Sequence, residues 1–449
     1  MLYLPTMWST RDKQHLWHPF TQMKEWLASD PIVIEKGRGN WLIDVNGKRY
    51  LDGVSSLWTT VHGHHHPKLN KAIKKQLNRI AHSTFLGLSN TPAIEFAQRL
   101  MKWVPPNLSR LFYSDNGSTA VEIATKIAFQ YWQQQPDIAL RSKTQFIAFT
   151  NAYHGDTLGS VSLGGMDLFH SIYDPLLFKP IRLPFPYPLQ EKRSVADSEL
   201  AALSELESTL KTKSPLIAGL IIEPLMQGAA GMVQSTHAYL QQVRSLTQKY
   251  NVLMIVDEVA TGFGRTGSMF ACQKANIAPD ILCLAKGISG GYLPLAATLT
   301  TETIFEAFLG KHSDHKTFFH GHTYTANPLA CAAGIASLKI FEEEHTLDKL
   351  QPKIERLRHG LASIAALEWV AEVRQEGFMV GIELGGVSPE DRMGTRVCTL
   401  ATQKGVFLRP LGDVIVLMPP LSISSKELDL LLETTKACII SCCGHQNKK

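Results

Sequence analysis

Two short apolar runs, Val252–Val256 and Ile281–Ala285, each deliver one ionisable residue at the carboxyl end, Asp257 and Lys286. The stretch that holds them, Val252 to Pro294, constrains the chain more than any other; it reads VLMIVDEVATGFGRTGSMFACQKANIAPDILCLAKGISGGYLP. Runs of this length, rich in strand formers or bulky aliphatics, read as buried strands. In an alternating α/β chain, ligands sit at the carboxyl ends of parallel strands. A carboxylate and an amine delivered to one such edge suit pyridoxal phosphate. The amine forms a Schiff base, and the carboxylate keeps the pyridine nitrogen protonated so that the ring accepts electrons. Taken singly, each residue has a plainer reading: a helix cap for Asp257 and a solvated charge for Lys286.

Gly262, Gly264 and Gly267 also spell G-x-G-x-x-G shortly after a strand. Asp257 and Glu258 stand between that strand and the glycines, where they would repel a pyrophosphate. Arg265 and Thr266 make a poor start to a tightly packed helix, so the dinucleotide reading is set aside.

The rest of the chain alternates in the same way. Leu69, Ile73, Leu77 and Ile80 have helical spacing, and a second helix follows Thr91-Pro92. A strand at Leu111–Tyr113 runs into a helix marked by Val121, Ala124, Ile127, Ala128 and Tyr131. Asn116-Gly117-Ser118-Thr119 lies at that junction, where free N–H groups and the helix dipole favour a phosphate. Gly117 permits close approach and the Ser118 and Thr119 hydroxyls can donate; an ordinary cap would use the same residue types. Further strands are expected at Gln145–Phe149, Leu216–Ile222 and in LAATLTT, with a Pro-rich loop over 181–196 and an amphipathic helix over 197–211. Tyr153 offers a face to stack on a ring or a core aromatic, and Glu223 reads as a gate or an ion-pair member. A long helix starts at about Pro328. Shorter pieces follow, including a strand in Phe378–Leu384 and the segment VFLRPLGDVIVLMPP.

The expected fold class is therefore α/β. Residues 1–70 form an N-terminal arm and part of a small domain, with Asn46-Gly47 as a tight turn. Residues 71–335 form a large domain, and 336–449 a C-terminal small α+β domain. With 449 residues, 44% of them hydrophobic, the chain can bury one large core and a smaller one. A formal charge of +5 without a long basic run calls for neither nucleic acid nor an anionic membrane. Seven cysteines without a C-x-x-C pair fit a reducing compartment. The N-terminal MLYLPTMWSTRDKQ lacks a signal-peptide pattern, and Glu223-Pro224 breaks the most apolar run, so a soluble cytoplasmic protein is expected. His62, His64, His65 and His66, and the group His312, His315, His320 and His322, lack metal-ligand spacing, so no metal is expected.

DEVATGFGRTG, followed 29 residues after Asp257 by Lys286 in AKGISGGYLP, closely resembles the class III, fold-type I pyridoxal-phosphate-dependent aminotransferases. The resemblance covers nearly the whole chain. HLWHPFTQMK, DGVSSLW, QYW, YHGDT, IIEPLMQGAAGM and RPLGDVIVLMPP carry it towards the branch that aminates 8-amino-7-oxononanoate in biotin biosynthesis. It implies a mostly parallel seven-stranded sheet between helices, a smaller α+β domain, pyridoxal 5'-phosphate as cofactor, and a homodimer with shared active sites. Lys286 would be the Schiff-base lysine, Asp257 the partner of the pyridine nitrogen and Tyr153 the cover of the ring. Gly117 and Ser118 would bind the phosphate, with His322 and Thr323 completing that site from the other subunit. Arg409 would hold the keto acid's carboxylate. Trp58, Leu57, Phe20, Gly321 and Arg265 would be further substrate contacts. S-adenosylmethionine is the expected amino donor. Phe20, Leu57 and His322 stand where the adenosylmethionine-using pattern has Tyr, Trp and Pro, which keeps lysine open as the alternative, beside another ω-amino acid transaminase.

Overall fold

The computed structural model describes residues 7–444; MLYLPT at the start and the polar tail after Gly444 lie outside it. Seven strands build the central sheet. They are β1 (Leu108–Ser114), β2 (Gln145–Phe149), β3 (Ile181–Leu183), β4 (Ile217–Ile222), β5 (Leu253–Asp257), β6 (Ile281–Leu284) and β7 (Ala296–Thr301), in the order β1-β7-β6-β5-β4-β2-β3. All neighbours are parallel except β7, which runs against both β6 and β1. The three central strands β4, β5 and β6 are buried at every position, as expected for a parallel sheet covered on both faces. That burial explains why these strands are continuous apolar runs in the sequence.

Register delivers the charged residues to one edge. Asp257 pairs with Cys283, and Val256 with Ile222. Glu223, one residue past β4, is therefore level with Asp257, and Lys286 follows β6 by two residues. Helix α1 (Gly117–Gln133) covers one face of the sheet. Its Ala120, Ile123, Ala124 and Ile127 pack with Ile221, Ile255 and Cys283, and the Trp132 indole donates to the Ala218 carbonyl at 2.7 Å.

The Pro-rich span 181–196 differs from the expected loop. Its first three residues form the edge strand β3, too short and too closely followed by Pro184 to show a period. The strand Val370–Glu376 was also hidden, because its half-buried, charged sequence VAEVRQE has no apolar alternation. It opens a second sheet with Met379–Leu384, Val414–Leu417 and Arg409–Leu411, all antiparallel.

A third sheet joins the ends of the chain. Ile34–Arg38, Trp41–Asp44 and Arg49–Asp52 pair antiparallel, and Val406–Phe407 adds to Arg49–Asp52 in parallel. Gly47 (φ +82°) makes the turn, with the Asp44 carboxylate accepting the Asn46 and Lys48 N–H groups at 2.9 Å each. The long helix α2 (Pro328–Glu343) is capped by Asn327, which accepts from Leu329 and Ala330 N–H. The histidines of the first group differ in depth: His62 is buried, His64 and His66 are half-buried and His65 is exposed. His62 bonds Ser337 Oγ at 3.0 Å and is pushed down to about 3 by desolvation, while His64 meets the fully buried Asp52 at 2.9 Å. Among the described residues no helix is long and apolar enough to cross a membrane.

Candidate active site

Lys286 sits in a backbone conformation that its sequence alone does not favour. Ala285 is extended, then Lys286 turns into the left-handed region (φ 44°) and opens a short 3-10 turn. A Cβ on Gly287 would lie 2.9 Å from Phe263 Cβ, so the turn is packed too tightly for any larger residue. Lys286 Nζ lies 5.1 Å from the centroid of the Trp58 ring. Desolvation holds its pKa below the ordinary lysine value, against the opposing pull of Asp257 and Glu223.

Asp257 is buried, with both oxygens engaged. Oδ1 accepts the Val259 N–H at 3.0 Å, and Oδ2 accepts from His154 Nδ1 at 2.7 Å. The His154 side chain is itself fully buried, and its Nε2 has no partner among the described residues. Nothing in YHGDT assigns His154 this role, because the pairing spans 103 residues and no local spacing reveals it.

Glu223 is the second buried carboxyl at this edge. Oε1 accepts the Tyr153 N–H at 3.1 Å and Oε2 the Gly228 N–H at 3.0 Å. Desolvation, reinforced by Asp257 and opposed by His154, pushes it up to about 7. The Tyr153 hydroxyl donates to Asp156 at 2.7 Å, and its ring stacks on His170 at 6.2 Å and 19°. Burial raises the Tyr153 pKa above its ordinary value, so the phenol stays neutral at physiological pH.

At the start of α1, Asn116 Oδ1 accepts the Thr119 N–H at 3.0 Å. That leaves the Gly117 and Ser118 N–H groups facing out of the helix end. A Cβ on Gly117 would come within 2.5 Å of Val259, and one on Gly155 (φ +121°) would overlap Ser118 Oγ. Ser118 Oγ also meets Thr157 Oγ1 at 2.7 Å. These close approaches form a small polar cradle beside the strand ends.

Lys286, Asp257, His154, Glu223, Tyr153 and the Gly117–Ser118 cradle line one cavity of about 1080 Å³, ample for a cofactor with a substrate beside it. The structure brings Gly117, Ser118, Tyr153, Asp257, Lys286, Phe20, Leu57, Trp58 and Arg409 together around it. Arg409 is exposed on that wall, and its guanidinium makes no hydrogen bond or ion pair among the described residues. Phe20 (φ 51°) packs edge-on against Phe169 at 5.4 Å. Met166, Leu168 and Phe169 also line the cavity; they were missed because the four-residue helix Asp167–His170 carries no recognisable motif.

Four expected contacts lie elsewhere in this chain. Arg265 is 1% exposed behind the cavity wall, where it donates to the Pro419 carbonyl at 2.8 Å and the Thr60 carbonyl at 3.0 Å. Its donors join three segments of the fold, and it does not line the cavity; its charge still lowers the Lys286 pKa. Gly321, His322 and Thr323 do not line the cavity of their own chain. Gly321 and Thr323 are exposed, and His322 Nδ1 lies 2.8 Å from Asp115 Oδ2, whose residue does line it.

Comparison with known proteins gives a consistent picture. The family Aminotransferase class-III matches residues 23–439. An adenosylmethionine-8-amino-7-oxononanoate aminotransferase from Nitratidesulfovibrio vulgaris is 54% identical over 443 residues, covering 97% of this chain and 82% of the relative. One of the same name from Geobacter sulfurreducens is 50% identical, covering 96% of this chain and 97% of the relative. The crystal structure of the Methanocaldococcus jannaschii protein of that name superposes with a TM-score of 0.92 at 42% identity, over 97% of this chain and 99% of the other. An amine transaminase from an uncultivated Pseudomonas species, solved in its PLP-bound form, superposes with a TM-score of 0.88 at 33% identity, over 95% and 98% of the two chains.

Proposed function

This chain belongs to the class-III aminotransferase family, and from that premise we propose that it aminates 8-amino-7-oxononanoate to 7,8-diaminononanoate, a step of biotin biosynthesis. It is a pyridoxal-phosphate-dependent transaminase. One observation carries the choice of substrate: the half-buried Lys286 and the unpaired Arg409 line the same cavity. A keto acid whose carboxylate lies far along the chain from its ketone needs a proton carrier at the reacting end and a cation at the other. The guanidinium suits a planar carboxylate as a two-pronged donor. The apolar walls of Phe20, Leu57, Trp58 and Phe169 suit the methylene chain between.

The residues fit the cofactor. The α1 N-terminus and the Ser118 hydroxyl would hold its phosphate, in a cradle that a Cβ on Gly117 or Gly155 would fill. Tyr153 would lie against its ring and Asp257 would face its ring nitrogen. When bound, pyridoxal phosphate supplies a carbonyl that takes the amine and a ring that stores the electron pair. Lys286 would hold the group covalently at rest. Once freed, its amine would carry the proton on and off the substrate carbon, and a desolvated amine with a lowered pKa suits that task. His154 would keep Asp257 oriented through its 2.7 Å bond. Trp58, 5.1 Å from Nζ, would keep bulk water from the lysine.

The donor proposed is S-adenosylmethionine, after the names of the relatives. Lysine is the second reading, favoured by the aliphatic Leu57 and the hydroxyl-free Phe20 in the cavity wall, since an adenosyl sulfonium gains from aromatic faces. Supplying 8-amino-7-oxononanoate with each donor separately and assaying 7,8-diaminononanoate tests both. Product with adenosylmethionine is expected. Product with lysine alone would replace the donor, and activity only with 4-aminobutyrate would overturn the substrate as well.

The cytoplasm is the proposed location, supported by seven unpaired cysteines among the described residues. A homodimer with shared sites is proposed for the same enzyme. Support comes from the exposed loop of Gly321, His322 and Thr323, which its own cavity does not use. Lys286→Ala and Thr323→Asp chains should each be inactive alone. Reassembled together, half the dimers are mixed and one of the two sites in each is intact, so about a quarter of wild-type activity is expected. No recovery, with light scattering at the monomer mass, would refute the shared site.

A further inference from the structure

The substrate proposed above carries a second functional group at the reacting centre. Its ketone is on carbon 7 and its amine on carbon 8, so an ammonium sits on the carbon next to the one that must approach Lys286 Nζ. Anything that recognises this ammonium must lie beside Lys286. A ketone without the neighbouring amine would leave that recogniser unpaired.

Three carboxyl groups act electrostatically on Lys286: Asp257, Glu223 and Asp156. Two are placed otherwise. Asp257 is paired with His154 and also accepts the Val259 N–H, and Asp156 is exposed to solvent and accepts the Tyr153 hydroxyl. Glu223 differs. Each of its oxygens takes one backbone N–H and has capacity for another donor, and no ion pair reaches it among the described residues. It is 6% exposed and lines the cavity. Its position follows from register, level with Asp257 on the neighbouring strand. Gly228, whose N–H it accepts, is packed under Trp58: a Cβ there would meet Trp58 Cζ3 at 3.1 Å and Glu223 Oε2 at 3.8 Å. The same Trp58 ring lies 5.1 Å from Lys286 Nζ, so carboxylate, indole and amine enclose one small volume.

We infer that Glu223 is the specificity-determining residue for the amino ketone, its carboxylate pairing with the ammonium on the carbon beside the reacting ketone. The inference rests on the function proposed above. A buried carboxyl pushed up to about 7 is one that lacks a counter-ion, and an arriving ammonium supplies it. Glu223 gains from this substrate what it cannot gain from a plain ketone. The two backbone N–H groups fix the carboxylate in place before the substrate arrives, so little ordering is left for the moment of binding.

The test compares kcat/KM for 8-amino-7-oxononanoate and for 7-oxononanoate, which lacks the amine, in wild type, Glu223→Gln, Glu223→Asp and Asp156→Asn. A charge-assisted hydrogen bond at a buried site corresponds to a wild-type preference for the amino ketone of about 10- to 100-fold. Glu223→Gln should remove that preference, lowering kcat/KM for the amino ketone by this factor while 7-oxononanoate changes by less than about threefold. Glu223→Asp, which keeps the charge at a shorter reach, should retain part of it, and Asp156→Asn should keep it whole. Equal losses on both substrates in Glu223→Gln would reduce Glu223 to a structural role and overturn the inference. So would a preference that survives Glu223→Gln, one lost equally in Gln and Asp variants, or one removed by Asp156→Asn. Absence of wild-type turnover of 8-amino-7-oxononanoate with any donor would instead overturn the proposed function, and this inference with it.

Discussion

Lys286→Ala should abolish steady-state turnover, with a loss of at least about four decades, since it removes both the covalent anchor and the general acid–base. The residue cannot be replaced by a neighbour. Among the described residues it is the only lysine lining the cavity, and its left-handed backbone and the tight Gly287 turn aim it there. The same variant should lose the visible absorbance of the covalently bound cofactor, while the cradle at Gly117 and Ser118 still retains the phosphate. Single-turnover assays with the amine-loaded cofactor separate these effects. Substantial turnover in Lys286→Ala would move the proton transfer to another group.

Asp257→Asn should lower the rate by about three to four decades and leave cofactor affinity less affected. The substitution keeps the shape and removes the charge that favours a protonated pyridine nitrogen, and each pKa unit lost there is about 1.4 kcal/mol of electron-accepting capacity. The amide also meets His154 Nδ1 at hydrogen-bond distance, so one of the two must turn or change its proton. A second effect has a definite sign. Asp257 raises the Lys286 pKa, so its loss lets Lys286 deprotonate at lower pH. The acidic limb of the residual pH–rate profile, where it reports the free amine, should therefore shift to lower pH. Near-normal turnover in Asp257→Asn would make the carboxylate a structural group.

The parts of this site that were legible in the sequence are those where one physical cause leaves a local trace. β4, β5 and β6 are buried on both faces, so each is an unbroken apolar run, and the charge that ends it marks the ligand edge. The Asn116 cap and Gly117 likewise announce a helix start within four residues. Contacts made across the fold leave no such trace. His154 reaches Asp257 across 103 residues, and Arg265 reaches Pro419 across 154. The resemblance implied a substrate contact for Arg265, and nothing local in its glycine-rich motif shows that its guanidinium serves two backbone carbonyls in the interior. The edge strand β3 and the segment Met166–Phe169 show no period because each is only a few residues long.

The central claim is that the amine at the end of β6 holds pyridoxal phosphate within the cavity. Borohydride reduction of the purified, cofactor-loaded protein, followed by proteolysis and mass mapping, tests it most directly. The predicted result is a single pyridoxyl adduct on the peptide that contains Lys286, lost when an amine donor is added before reduction; an adduct on any other lysine would contradict the claim.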